Sequence, residues 1–350
     1  MLGHYPTAAH RLDALSRAGA ELWIKRDDLT SKLYGGNKVR KLELIFAAAA
    51  ARGARRLFTA GAAGSHHVLA TTIYGRRAGF DVAALLTAQP ANDHAEQNLR
   101  IAIGEGLVAY PAPHMYALPF QWARARQKGD FIVAPGGSSV TGSLGYFAAA
   151  RELLDQVKDG VLPSPDCIVV ALGSGGTTAG LLAGLVSGGY RGVLLGVRIV
   201  PPWVSGRFST LALARAVLNR AIRELGRDER RPLRAALAPR LQIANDYLGR
   251  GYGFATTAGE RATKLAAEQG LVLEPTYTAK AFAAALDRVT EGGFQRVLFW
   301  HTFSSAPVQP LLAGAPSTAE LPATLRALLV RTAPPGSHDS CPRPTPRRSR

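Results

Sequence analysis

Cys167-Ile168-Val169-Val170-Ala171-Leu172 is an unbroken apolar run. It leads into Gly173-Ser174-Gly175-Gly176-Thr177-Thr178-Ala179-Gly180, a glycine turn that reopens as a helical pattern. An apolar run with no polar alternation is what a parallel strand buried on both faces requires. Outward from it, the same rhythm repeats. Strands are expected at Leu22–Lys25, Leu57–Ala60, Val82–Leu86 and Phe131–Ala134, then at Val193–Ile199, Leu241–Ala244 and Val297–His301. Helical spacing fills the gaps at Val39–Arg52, His66–Ala78, Ala95–Ile103, Ser143–Val157, Thr177–Val186, Leu211–Leu225, Thr257–Gln269 and Ala279–Thr290. Strand–helix alternation predicts an α/β chain of parallel sheets flanked by helices. The 350 residues suffice for about two domains at roughly 150 residues each, and Val161-Leu162-Pro163-Ser164-Pro165 reads as a boundary loop.

Composition narrows the function classes. No apolar run approaches the roughly 18–20 residues of a membrane span. The N-terminus lacks the basic start and apolar core of a secretory signal, so a cytoplasmic protein with no membrane partner is expected. Cys167 and Cys341 form neither a disulfide framework nor a spaced zinc motif. Cys167 is read as a buried small hydrophobe. The net charge of +17 is concentrated in two places. Residues 202–240 carry nine Arg against three acids, and residues 331–350 carry five Arg against one Asp. Neither segment interleaves aromatics as a single-strand binder does, so no nucleic-acid partner is expected. The segment 332–350, rich in Pro, Ser and Arg, reads as a disordered basic tail. The helix at 211–225 reads as core-packed with a solvated Arg face.

Four segments carry chemistry. In Gly35-Gly36-Asn37-Lys38-Val39-Arg40-Lys41, two glycines permit a tight loop into a helix beginning near Lys38. Free backbone N–H groups and the positive dipole end gather in that first turn. An ammonium is disfavoured there, and the neutral amine that results is what attacks an aldehyde. Lys41, about one turn on, falls near the same face. On spacing alone an ordinary exposed lysine at a helix start remains the better reading. The loop Gly173, Ser174, Gly175, Gly176, Thr177 suits a phosphate at a helix N-terminus. It lacks the lysine of a P-loop and the third glycine of a dinucleotide fingerprint. In Gly61-Ala62-Ala63-Gly64-Ser65-His66-His67, Ser65 reads most simply as an N-cap, and the adjacent histidines point apart, so no metal is expected. In Glu274-Pro275-Thr276-Tyr277-Thr278-Ala279-Lys280, Tyr277 and Thr278 stand just before a helix, where a tyrosine is more often structural than catalytic.

Together and in this order, these segments resemble the family of 1-aminocyclopropane-1-carboxylate deaminases and D-cysteine desulfhydrases. The stretch Asp246-Tyr247-Leu248-Gly249-Arg250-Gly251-Tyr252-Gly253 adds to the likeness, which runs from about residue 5 to 315. The resemblance implies a two-domain tryptophan synthase β-like fold (pyridoxal-phosphate fold type II). It places a large cofactor-binding domain at 1–41 plus 158–331 and a smaller α/β domain at 42–157. It also implies pyridoxal 5′-phosphate carried on Lys38 as a Schiff base, a small amino-acid substrate and a homodimer. By the same resemblance, Lys38 moves the substrate α-proton, and Lys41 with Gly173–Thr177 holds the cofactor phosphate. Ser65 and the turn around it, with His66 and His67, grip the substrate carboxylate. Tyr277 acts against the substrate side chain, and Thr278 faces the pyridine nitrogen.

Thr278 and Thr302 stand where the family's deaminases have Glu and Leu, so the resemblance favours the desulfhydrase branch. That branch performs a β-elimination giving pyruvate, ammonia and sulfide. The alternatives are the ring-opening deaminase, or a catalytically altered homologue acting on another small amino acid. Three positions depart from the family: His66 replaces an asparagine that meets the cofactor ring oxygen, Phe303-Ser304 replaces a glycine pair, and Ala279 replaces a glycine. Cofactor binding is expected to persist, with Phe303 crowding the cofactor ring or the substrate.

Overall fold

The computed structural model describes residues 1–112, 118–224 and 230–330; the expected basic tail at 332–350, Cys341 and Leu225 lie outside them. The strands are β1 (Ala9–Arg11), β2 (Glu21–Lys25), β3 (Arg56–Ala62), β4 (Asp81–Thr87), β5 (Gln89–Pro90), β6 (Val108–Ala112), β7 (Phe131–Ile132), β8 (Cys167–Leu172), β9 (Val193–Arg198), β10 (Leu241–Ala244), β11 (Arg296–Trp300) and β12 (Leu329–Val330). The helices are α1 (Asn37–Ala51), α2 (His66–Arg77), α3 (Asp93–Gly104), α4 (Leu118–Ala125), α5 (Val140–Lys158), α6 (Gly176–Ser187), α7 (Arg207–Glu224), α8 (Arg230–Arg240), α9 (Thr257–Glu268), α10 (Thr278–Thr290), α11 (Gln309–Ala313) and α12 (Ala323–Arg326).

Among the described residues, one sheet runs β1-β2-β11-β8-β9-β10 and a second runs β6-β4-β3-β7. Every pairing in them is parallel except β1 with β2. The run at β8 shows why the pattern held. Ile168 and Val170 join a core with α5, α6 and α7, while Cys167 and Val169 join a second core with α9 and α10. Both faces are covered, so neither can be polar. Burial pushes the Cys167 thiol up to about 12, which leaves it an inert packing group. The smaller sheet is covered likewise, by α1, α2 and α3 on one side and by Ala125 and Trp122 of α4 on the other.

Helix α7 buries Leu211, Leu218 and Ile222, while Arg220 pairs with Glu224 on its exposed side. Among the described residues no helix is long and apolar enough to cross a membrane. A buried ionic cluster ties the N-terminal segment to α1, α5 and β11. Asp27 accepts hydrogen bonds from Arg40 (2.8 and 3.0 Å), Tyr146 Oη (2.7 Å), Trp300 Nε1 (2.8 Å) and Thr7 Oγ1 (2.9 Å). Glu152 on α5 takes Lys25 (2.6 Å) and the other arm of Arg40 (2.8 Å).

Candidate active site

A cavity of about 660 Å³ opens where the carboxyl ends of strands from both sheets meet. Its wall includes Ala60–Ala62 from β3, Ala171 and Gly173 at the end of β8, Val200 beyond β9, and Thr302 and Phe303 beyond β11. Parallel α/β sheets place their ligands at this end, because loops and helix N-termini converge there.

Lys38 is the second residue of α1 and faces this cavity. The loop before it is pinned: Gly36 has φ +87° and lies so close to the Thr302 carbonyl that a Cβ would meet it at 2.6 Å, and Asn37 N–H donates to the same carbonyl at 3.0 Å. Lys38 Nζ donates to Asn37 Oδ1 at 2.6 Å, and Asn37 Nδ2 donates to Thr177 Oγ1 at 3.1 Å. One asparagine therefore bridges the amine and the glycine loop. The Lys38 pKa is lowered to about 8. The direction is that expected from the helix terminus, but the first cause is burial of the ammonium, opposed by the charge of Glu274. An amine-reactive reagent should therefore label Lys38 in cofactor-free protein with a rate that is half-maximal near pH 8. Ordinary lysines follow a titration centred at about 10.4. Peptide mapping across pH 6–11 measures this, and a Lys38 profile overlying the surface lysines overturns it.

The glycine loop forms an anion cradle. Gly175 has φ +86° and α6 begins at Gly176 on the cavity wall, which puts the first turn of a helix, with its N–H groups lacking intrahelical acceptors, at the cavity. A Cβ at Gly176 would sit 2.5 Å from Ser138 Oγ. Ser138 Oγ accepts the Gly176 N–H at 3.0 Å and lies 2.7 Å from Ser174 Oγ. Lys41 is buried and donates to Gly136 O at 3.0 Å. Burial, then the charge of Lys38, pushes its pKa well down. Neither Lys38 nor Lys41 forms an ion pair among the described residues, and the Thr178 hydroxyl is buried with no hydrogen-bond partner. Two amines with no direct ion pair, a spare hydroxyl and a helix N-terminus fit a phosphorylated aldehyde cofactor: the phosphate answers the cradle and Lys41, the aldehyde answers Lys38.

On the opposite wall, Ser65 caps α2, accepting from Val68 N–H at 3.4 Å, and lines the cavity. The two histidines diverge. His67 meets Thr59 Oγ1 at 2.9 Å. His66 Nδ1 lies 2.6 Å from Tyr34 Oη and 3.0 Å from Asn98 Nδ2. Phe303 stands edge-on to His66 (ring centroids 5.1 Å apart) and forms part of the wall.

Glu274 organises the third wall. Its carboxylate accepts the N–H groups of Thr276, Tyr277 and Thr278 at 2.7–2.8 Å, which caps α10. Burial pushes its pKa up against those bonds. Thr278 Oγ1 accepts the Glu274 N–H at 2.9 Å and lines the cavity. Tyr277 Oη lies 2.8 Å from Tyr252 Oη. Burial, with Tyr252 beside it, holds the Tyr277 phenol well above its ordinary value, and Tyr252 is pushed up to about 12.

Lys38, Lys41, Ser65, His66, His67, Gly173–Thr177, Tyr277, Thr278 and Thr302 thus all line one cavity. Sequence reasoning assigned no role to Asn37, Tyr34, Asn98, Ser138, Tyr252 or Glu274. Asn37, Tyr252 and Glu274 lay inside the quoted motifs. Tyr34, Asn98 and Ser138 carried no local signal.

Comparison with known proteins identifies the family. The family of pyridoxal-phosphate dependent enzymes matches residues 1–302. A D-cysteine desulfhydrase of Klebsiella pneumoniae subsp. pneumoniae is 34% identical over 315 residues, covering 85% of this chain and 91% of its own. One of Salmonella typhi is 33% identical with the same coverage. Among solved structures, an ACC deaminase homologue superposes with TM-score 0.71 at 28% identity, covering 90% of this chain and 95% of its own. A fungal L-serine ammonia-lyase from Rhizomucor miehei shares the fold, with TM-score 0.60, 16% identity, and coverage of 89% and 97%. With its tryptophan synthase β-like fold, the chain belongs to the pyridoxal-phosphate dependent enzymes and is a lyase of that family.

Proposed function

We propose that the enzyme catalyses β-elimination from a small β-substituted D-amino acid, with D-cysteine and water giving pyruvate, ammonia and sulfide. The observation that carries this is one cavity holding a burial-activated amine at Lys38, an anion cradle, and a protonated phenol at Tyr277. The cofactor, when bound, supplies an electron sink conjugated to the substrate Cα. Lys41 and the N–H groups of Gly173–Thr177 hold its phosphate. Ser65, with His66 and His67 beside it, orients the substrate carboxylate. Lys38 Nζ takes the α-proton. Tyr277 Oη, kept protonated by burial and oriented by Tyr252, gives a proton to the leaving sulfur. Thr278 Oγ1 accepts a bond from Glu274 N–H at 2.9 Å, and its own proton, held only by long 3.4 Å contacts to Glu274 O and Oε1, can turn to the pyridine nitrogen. A hydroxyl donates a bond there without holding a full charge, which suits an elimination in which the leaving group departs early.

Support for D-cysteine comes from the relatives of that name and from Thr278 and Thr302. A panel of D- and L-amino acids with sulfide, ammonia and keto-acid detection tests it. Keto acid from 1-aminocyclopropane-1-carboxylate, with no sulfide from D-cysteine, would replace this reading with the deaminase. Tyr277→Phe should lower kcat by about 10²–10⁴-fold, the usual worth of a positioned acid, with the colour of the bound cofactor retained. An unchanged kcat removes Tyr277 from proton transfer. The resemblance further supports a homodimer in the cytoplasm, and sedimentation velocity of the purified protein tests the dimer.

A further inference from the structure

His66 occupies a position in the cavity wall where its two ring nitrogens have different neighbours. Asn98 fixes the state of Nδ1. Its amide nitrogen donates one N–H to the Gly64 carbonyl at 2.9 Å. A carbonyl only accepts, so the amide cannot be turned the other way. The second N–H of the same nitrogen reaches His66 Nδ1 at 3.0 Å. Nδ1 must therefore accept, and its single lone pair is shared between Asn98 and Tyr34 Oη, 2.6 Å from the same atom. The remaining proton of a neutral ring is then on Nε2. Nε2 lies 4.0 Å from Glu274 Oε2, beyond hydrogen-bond range, and that oxygen already accepts the Thr276 N–H. Lys38, His94 and Glu274 are the charged or titratable groups around the ring, with the Tyr34 and Tyr277 phenols against it. Burial, then Lys38 and His94, lowers the ring pKa to about 3.

We infer that His66 is locked as the neutral Nε2–H tautomer by Tyr34 and Asn98, and that this N–H is a dedicated donor to an anionic oxygen of the bound ligand. The inference rests on the reading that the cavity holds pyridoxal phosphate and an amino acid. Two oxygens have the required chemistry, the ring oxygen of the cofactor and the carboxylate of the substrate. Histidine suits the site because two donors on Nδ1 suppress its use as a base while leaving Nε2–H directed and always protonated. A ring that titrated near neutral pH would keep Nε2–H but lose the Nδ1 acceptor and place a positive charge next to Lys38.

Long-range ¹H–¹⁵N spectra of histidine-labelled holoenzyme test the lock, with His66 assigned by its loss in His66→Gln. The expected result is an Nε2–H tautomer unchanged from pH 5 to 8; an Nδ1–H tautomer or an imidazolium in that range overturns the inference. The double variant Tyr34→Phe with Asn98→Ala should restore a mixture of tautomers. The donor role is read separately, by the affinity of cofactor-free His66→Phe for pyridoxal phosphate and of its loaded form for D-alanine. Loss of one bond to a charged oxygen should weaken one of these by about tenfold to a hundredfold. Weaker cofactor binding assigns the bond to the cofactor oxygen, and weaker D-alanine binding at unchanged cofactor affinity assigns it to the carboxylate. If neither moves while the variant melts like the parent, the donor role is wrong. A parent protein that takes up no pyridoxal phosphate instead refutes the cofactor reading, and the tautomer spectra still decide the lock.

Discussion

Lys38→Ala should abolish turnover, with kcat falling by at least ~10³-fold, and should give a protein that no longer holds its cofactor against dialysis or borohydride. It should nevertheless fold. Among the described residues Lys38 Nζ makes one hydrogen bond, to the neighbouring Asn37, and the side chain lines a cavity. Its amine is depressed to about 8 by burial, against about 10.4 in an unfolded chain. For a base this means the folded state disfavours the charged form. The resulting penalty on folding is present below about pH 8 and vanishes above the unfolded value. Removing the amine lifts that penalty, so at pH 7 the alanine variant should melt at or above the temperature of the cofactor-free parent. A calorimetric scan beside the colour assay checks both halves. A variant that unfolds at pH 7 would show that the lysine is structural.

Asp27→Ala should be the most destabilising single change outside the cavity, costing about 3–5 kcal/mol, the usual loss when one member of a buried ionic group is removed. The carboxylate is the shared acceptor for Arg40, Tyr146, Trp300 and Thr7. Among the described residues, its loss leaves the buried Arg40 guanidinium with Glu152 as its one carboxylate and takes the acceptor from Tyr146 Oη and Trp300 Nε1. The pH dependence follows. Burial alone would raise the Asp27 pKa, but Arg40 and its hydrogen bonds override it and hold the group below its ordinary value. A carboxylate depressed in the folded state contributes stability that is complete above its unfolded pKa of about 3.9 and is lost as pH falls through the lower folded value. Urea midpoints from pH 7 down to pH 3 should therefore drop for the parent below about pH 4. Asp27→Ala should start lower and fall less steeply there. Parallel curves would mean that Asp27 carries no such linkage.

The parts legible in the sequence were those where one local rule decided the outcome. Strand β8 announced itself because both its faces are buried, and the α6 start because glycine must precede it. The missed strands had reasons to be quiet. β1 is three residues, Ala-His-Arg, at an exposed edge. β6 carries Pro111 and lies at the edge of its sheet, where a missing N–H is tolerated. Helix α5 begins at Val140, three residues before the expected Ser143, because Ser139 caps it while Gly142 and Gly145 blur the helical pattern. In the site, Lys38 and the glycine loop were readable since each is a contiguous motif. The partners of His66 were not: Tyr34 and Asn98 each lie 32 residues away along the chain and meet it only through the fold. Phe303, expected to crowd the ligand, is a wall packed on His66.

The position of β11 sets the order in which this molecule can be made. It lies between β2 and β8, pairing with both, yet it is synthesised after each of them. Until residue 300 has left the ribosome, β2 and β8 present open edges, and exposed parallel edges invite pairing with other chains. The cradle around Lys41, Ser138 and Gly176 likewise draws on segments made far apart. Cofactor capture is therefore expected only after β11, since the Thr302 carbonyl that pins the loop before Lys38 follows it. A nascent chain halted before β11 should neither turn yellow nor stay soluble without a chaperone, whatever the supply of pyridoxal phosphate.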